Sequence, residues 1–325
     1  MSYSPLSAQD AREVRGLAGR APSLFNLQPW RFREAAGALE LLLDGTVALP
    51  ATDPDRRELV ISCGAALHLA LLSLRARGWR PRVQRLPSEH DADLLARIDV
   101  LDGKEDPAPS DRALVRAAQR RHVDRRQYAP TAVPQEVLLD LVSEDAVASV
   151  SVLTGDQRYA VAQAFTKAAM IHAGSDAYRA ELAAWSGLTP PAARGVLDES
   201  APWHGQRYGD VVVRDFGYAE TVVREAGSAL TAGSLLLIST GTDDRDAHLR
   251  AGEALGAVLC QAELGGLSSC PLSEAFEVPR TRADVRHQVL GDEGHPQMVV
   301  RVGWPQSADL PAGTAPIAPE LGREA

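Results

Sequence analysis

DRRELVISCGAALHLALLSLRARG at residues 55–78 and DDRDAHLRAGEALGAVLCQAELGG at 243–266 align without a gap at an offset of 188 residues. Seven of the 24 positions are identical: Asp55, Arg57, Gly64, Ala66, Leu67, Leu71 and Gly78 match Asp243, Arg245, Gly252, Ala254, Leu255, Leu259 and Gly266. Each stretch reads as a turn leading into an amphipathic helix that a glycine stops. Alanine and leucine are abundant here, so two unrelated helices of similar composition are the plain alternative. The glycines, fourteen residues apart in both copies, weigh more, because glycine costs about 1 kcal/mol in a helix interior. The reading is a duplicated structural unit.

Outward from the first copy, Ser7 followed by Asp10 marks the start of a helix over about 8–20, and an irregular loop, APSLFNLQPW, fills 21–30. LELLLD at 39–44 reads as a buried strand; 80–86 and 96–101 read as short strands with a helix between them. The Pro-, Gly- and charge-rich stretch GKEDPAPS at 103–110 is the best linker. After it come a helix from Ser110, another opened by Pro134, a strand at 150–154, and a long helix over 156–185 with a break near Gly174. SLLLIST at 234–240 and QMVVRV at 297–302 are strands. Residues 187–216, with Pro190, Pro191, Pro202, Trp203, Gly205 and Gly209, have no period; a loop that long reads as a lid or a disordered insert.

The chain has 325 residues, long enough for two domains or one two-lobed one, and its 45% hydrophobic and 24% charged residues are ordinary for a globular protein. No apolar run reaches the roughly 18 residues of a membrane span, and MSYSPLSAQDAREVRG at the N-terminus has no apolar signal core. A net charge of −9 argues against nucleic acid or an anionic membrane as a partner. Cys63, Cys260 and Cys270 are too few and scattered for a disulfide framework, so the expected compartment is the cytoplasm and the expected role of each is a core thiol. The eight histidines are dispersed, so no metal site is expected, and His204 alone stands out. The glycine-rich, nucleophile-elbow and HExxH signatures are absent.

Two features remain. The chain has a single asparagine, Asn26, within the 21–30 loop. Arg112, Arg116, Arg120, Arg121, Arg125 and Arg126 also place six guanidinium groups within fifteen residues of an acidic protein. Converging guanidinium forks suit phosphate oxygens, whereas the same run reads equally as a solvated helix face paired with Asp111 and Asp124.

These residues carry a resemblance. APSLFNLQPW is similar to the APSxxNxQPW loop of the nitroreductase-like FMN-binding family, and RRHVDRRQY at 120–128, followed by ValPro at 133–134 and LLDL at 138–141, resembles its arginine-rich arm. ISCGAA at 61–66, SSCPLS at 268–273 and PQMVVRVG at 296–303 are also similar. The combination most resembles the two-half, Acg-type branch, in which duplicated units are fused. The first half has the loop but no arm; the second has the arm, with SEDAVASV at 143–150 where its loop would be. The resemblance therefore implies an α+β, nitroreductase-like fold of two halves, 1–105 and 106–325, forming an internal pseudo-dimer with mainly antiparallel sheets flanked by helices and one composite site.

By the same resemblance, Pro22, Ser23 and Asn26, with Gln28 in the same loop, face the isoalloxazine ring of FMN. Arg121 and Arg125 hold its phosphate with help from His122, and Pro271, Leu272 and Ser273 lie against the ring, the Ser273 backbone N–H near N5. Val123 departs from the hydroxyl residue usual in the arm, and the basic pair usual after the last strand is reduced to Arg323. The implied function is NAD(P)H-dependent reduction of nitroaromatic, quinone or similar small-molecule acceptors by a monomer or weak homodimer; the flavin carries the chemistry, and no catalytic side chain is named. The alternative is a protein that sequesters or stores FMN under a lid at 187–216 and turns over little. A third reading, an interaction protein that has lost its flavin, fits Val123 but not Asn26.

Overall fold

Wholly or alternately apolar runs form two four-stranded sheets. In the first, β1 (Trp30–Ala35), β2 (Ala38–Leu43), β4 (Leu94–Leu101) and β3 (Arg80–Arg85) lie side by side in that order. In the second, the order is β5 (Ala148–Leu153), β8 (Ser234–Thr240), β10 (His295–Gly303) and β9 (Ser268–Leu272). Ranked within its own sheet, each runs first, second, fourth, third, and every neighbouring pair is antiparallel. In each, one long helix joins the second strand to the third: α2 (Arg57–Arg75) and α7 (Arg245–Leu264), the two helices of the sequence repeat. β3 and β9 keep the repeat's offset, after which α8 (Glu274–Glu277) and α9 (Pro279–Leu290) intervene before β10. This computed structural model describes residues 3, 5–143, 147–187, 194–196, 207, 208, 211, 212, 214, 216 and 233–306.

The α+β class with antiparallel sheets is as expected. α1 (Ala8–Ala18) begins where Ser7 accepts a hydrogen bond from the Asp10 backbone N–H, and the long helix breaks into α5 (Gly155–Ala173) and α6 (Asp176–Trp185) at Gly174. The helix expected between β3 and β4 is absent: residues 87–93 form bends and a turn. ProSerGluHisAspAlaAsp there has too few apolar residues to bury a helix face. β1, α8 and α9 were not foreseen. Of the 187–216 stretch, Arg207–Tyr208 (β6) and Val211–Val212 (β7) pair as a short hairpin; Trp203 and His204 lie outside the described residues, as do 144–146 and Arg323.

The repeated glycines meet each other where α2 crosses α7. A Cβ on Gly64 would stand 2.0 Å from the Leu249 carbonyl oxygen and 2.9 Å from Gly252 Cα. One on Gly252 would stand 1.9 Å from the Ile61 oxygen and 2.8 Å from Gly64 Cα. Ile61 and Leu249 are themselves separated by the repeat offset, so the contact is reciprocal, as in an isologous interface. One turn on, the symmetry is broken usefully: His68 pairs by offset with Gly256, and its ring lies where a side chain at 256 would project.

α2 is long and apolar enough, by length and composition, to cross a membrane, yet it is a core helix: from Arg57 to Leu74 every residue is buried except His68, which is half-buried with its Nε2 inside. α3 (Pro109–Arg120) packs on α1, α2 and α7, and Tyr178 and Leu182 of α6 join the core under the first sheet. Residues from before and after the 103–110 stretch thus share a core.

Candidate functional site

The 21–30 loop is held in a conformation that glycine-free sequences seldom adopt. Phe25, Asn26 and Gln28 all have positive φ, 50°, 54° and 48°. Asparagine tolerates this region better than most residues, which gives the lone asparagine a local reason. The loop is pinned on α2: the Leu24 N–H donates to Ser62 Oγ at 3.3 Å, and Cys63 Sγ lies 3.2 Å from the Pro29 oxygen. Ser23 Oγ accepts from the Gln28 N–H at 3.0 Å, closing the loop on itself. Asn26 Nδ2 donates to the Gly195 oxygen at 3.2 Å and the Gly195 N–H returns a bond to the Asn26 oxygen at 3.3 Å, clasping the 187–216 segment.

The arginine arm leaves the end of α3 and runs beside β9. The Asp124 N–H donates to the Ser269 oxygen at 2.9 Å, Ser268 Oγ donates to Asp124 Oδ2 at 2.8 Å, and Arg126 grips the same carboxylate with two nitrogens at 2.9 and 3.0 Å. Burial alone would raise the Asp124 pKa; these donors hold it below the ordinary carboxylate range. This anchoring turns the Arg125 guanidinium over the Phe216 ring, 5.5 Å from its centroid.

Loop, arm and the end of β9 meet in one cleft of about 770 Å³, open mouth included. Pro22 and Ser23 come to it from the 21–30 loop; Arg125 comes from the arm, and Pro271, Leu272 and Ser273 from the end of β9. The remaining four residues singled out in the sequence are not in its lining. Asn26 faces Gly195, and Gln28 is buried behind the loop. Arg121 is buried and donates to the Arg20 carbonyl, its pKa lowered by loss of water. His122 Nε2 lies 4.0 Å from Asp124 Oδ2, with its pKa also lowered by burial.

The structure adds residues that the sequence reading missed. Arg214 lines the cleft, ion-pairs with the fully buried Glu277, donates to the Tyr178 hydroxyl, and lies 5.0 Å over the Phe25 ring. Burial would lower its pKa, but Glu277, Tyr178 and Glu274 hold it well above the ordinary value. Glu58, in the first turn of α2, also lines the cleft, paired with Arg57; burial pushes its pKa up to about 8 against the opposing pull of Arg57. Glu274 lines the cleft too, with Oε1 3.4 Å from His172 Nδ1 and Oε2 buried with no partner among the described residues. Charged residues at wholly buried positions of α2 were the available signal for Glu58; nothing local marks Arg214. The three cysteines are buried and unbridged, with burial raising all three thiol pKa values, Cys260 to about 11.

No family model matches the chain. It is 36% identical over 323 residues to the protein named "Putative NAD(P)H nitroreductase" of Mycobacterium tuberculosis (strain H37Rv), covering 98% of this chain and 90% of that one. It is 30% identical over 312 residues to "Putative NAD(P)H nitroreductase acg" of the same organism, covering 93% and 91%. Among solved structures, the FMN-bound nitroreductase of Bacteroides fragilis aligns over 61% of this chain and 90% of its own, at 13% identity and a TM-score of 0.38.

Proposed function

The chain belongs to the nitroreductase-like family of these M. tuberculosis relatives, and from that premise we propose that it is an FMN-dependent oxidoreductase that passes electrons from NAD(P)H to nitroaromatic, quinone-like or similarly electron-poor acceptors. The observation that carries this reading is the composite cleft, to which one half contributes the 21–30 loop and the other the arm and the end of β9. We take the halves as 1–105 and 106–325, an internal pseudo-dimer with one site; the shared strand order and the reciprocal glycine contact support this. Cytoplasmic location and a monomer or weak homodimer belong to the same proposal.

The cleft fits a flavin in its chemistry. Phe25, Ile61, Leu255 and Met298 offer apolar walls to a planar ring, Arg125 offers a cation to a phosphate, and the unpartnered Glu274 Oε2 offers an acceptor to an N–H or O–H. Pro22, Ser23, Pro271, Leu272 and Ser273 would lie along the ring, and Arg125 would hold the phosphate. Asn26, Gln28, Arg121 and His122 would act one layer back, fixing the loop and arm. Bound FMN supplies two-electron transfer between nicotinamide and acceptor. The chain's own contribution is to orient the ring, exclude water and leave room for the acceptor.

A second reading, FMN sequestration with little turnover, draws support from Arg214 and Phe216, which line the cleft, and from the Asn26–Gly195 clasp. One preparation tests both. Purified or reconstituted protein should show an oxidised-flavin spectrum with one FMN per chain, and rapid mixing with NADPH should bleach it. Absence of bound flavin after reconstitution overturns both readings; a bound flavin that NADPH reduces only over many minutes selects sequestration.

A further inference from the structure

Resting on that oxidoreductase reading, we propose that Glu58 is the acid that delivers a proton from the floor of the cleft to an oxygen of the acceptor as it is reduced. Glu58 lines the cleft while remaining almost wholly buried. Four carboxyl groups crowd this floor: Asp53, Glu58, Glu274 and Glu277 are all buried, and Arg57 and Arg214 are the cations set among them. Three of the four have further polar contacts, although burial raises the Asp53 pKa as well. Asp53 accepts the backbone N–H groups of Glu58 and Leu59 at 3.0 and 2.9 Å, Glu277 takes Arg214 and Ser273 Oγ, and Glu274 faces His172.

Among the described residues the Glu58 carboxylate is hydrogen-bonded by Arg57, and that guanidinium is shared with the Gln297 backbone oxygen at 2.8 Å and Gln297 Oε1 at 2.9 Å. The groups that act on Glu58 are Arg57, Arg214, Asp53 and Glu277; farther off, Arg282 also senses it. Two buried acids beside a third with a divided cation leave Glu58 holding its proton at neutral pH, in agreement with its raised pKa of about 8. An independent feature supports a ligand at this floor: among the described residues no donor partners the buried Glu274 Oε2 on the same cleft, which leaves an acceptor for an incoming donor.

The step balances for a quinone. Bound FMN, once reduced by nicotinamide, would supply a hydride equivalent, which is two electrons and one proton. Glu58 supplies the second proton: its O–H bond breaks, an O–H bond forms on the quinone oxygen, and hydroquinone leaves. The remaining Glu58 carboxylate faces Arg57 and Arg214 until water reprotonates it.

The test has two arms. In infrared spectra of the flavin-free wild-type protein, a buried carboxylic-acid C=O band is expected that titrates away as pH rises through about 8, and Glu58→Gln lacks it. In flavin-loaded protein, Glu58→Gln should slow reoxidation by 1,4-benzoquinone at least tenfold relative to reduction by NADPH, since a positioned acid contributes about 10²–10⁴-fold. Wild-type reoxidation should fall above about pH 8. A band that persists unchanged in Glu58→Gln, or a wild type with no titrating band, overturns the assignment; the wild-type titration decides even if the variant fails to fold. A protein that takes up no flavin overturns the functional reading and this step together, whereas a loaded Glu58→Gln reoxidised at the wild-type rate overturns this step alone.

Discussion

Alanine at Gly252 adds one methyl group to the middle of a helix, a change that by propensity alone stabilises by about 1 kcal/mol. At this crossing the methyl carbon would lie 1.9 Å from the Ile61 oxygen and 2.8 Å from Gly64 Cα, both backbone atoms that no rotamer change can move. Restoring ordinary van der Waals contact means driving α2 and α7 apart by more than ~1 Å, because carbon atoms in contact sit about 3.5–4.0 Å apart. Interiors are packed too densely to absorb such a shift locally. Overpacking typically costs 1–3 kcal/mol and sometimes more, and here it falls on the main helix pair joining the two halves. A clash with backbone belongs at the upper end of that range or beyond it, so the net expectation is a loss of about 2–4 kcal/mol, or roughly 3–6 °C in thermal midpoint for a chain of this size. Gly64→Ala should behave alike, since its methyl would meet the Leu249 oxygen at 2.0 Å. Gly16→Ala is the control: it also lies within a helix, α1, with nothing within 4 Å of the added carbon, and should be neutral or stabilising. Differential scanning calorimetry on the three variants settles the matter. If Gly252→Ala melts with or above Gly16→Ala, the backbones do not meet there and the reciprocal-contact argument for a pseudo-dimer fails.

Arg125→Ala should weaken FMN binding roughly 10- to 100-fold, the worth of one charge-assisted phosphate bond. Arg121→Ala should leave affinity within about threefold and lower the melting temperature instead, because its guanidinium braces the Arg20 carbonyl; flavin fluorescence titration separates the two, and equal losses of affinity would return Arg121 to the phosphate. Asn26→Ala should cost about 1–2 kcal/mol by forcing alanine to positive φ and removing the bond to Gly195, and Asn26→Gly should recover part of it; denaturant midpoints in which alanine and glycine are indistinguishable would contradict the loop conformation. His68 is neutral when folded, with burial lowering its pKa to about 4 from the ordinary 6.5. The unfolded chain therefore gains a proton first as pH falls from 6.5 toward 4, and about 1–3 kcal/mol of stability is lost across that window and none above it. His68→Gln should flatten that limb in urea titrations at pH 7 and pH 5, and an unchanged slope would show that the ring is solvated.

Much of the fold was legible because its signals are local. The capping serine at Ser7, the glycine stops, the buried runs at 39–44 and 234–240 and the helix break at Gly174 depend on residues within a turn or two of one another. The 188-residue repeat was legible too, and its glycines identified the two helices that meet. The cleft residues Pro22, Ser23, Arg125 and Pro271 to Ser273 were picked out through a family resemblance, which needs no knowledge of contacts. What tertiary structure alone decided is how each polar side chain is used. Arg121 and Arg125 look interchangeable in RRHVDRR, but the pinning of Asp124 to β9 sends one toward a carbonyl and the other into the cleft. Arg214 and Glu277 lie 63 residues apart and become a buried ion pair only when the 187–216 segment meets α8. Nothing in the sequence reading singled out Glu58, and only packing surrounds it with other acids. Periodicity records which face of an element is buried; it carries no information on which distant charges burial brings together, and those charges set the chemistry of the cleft.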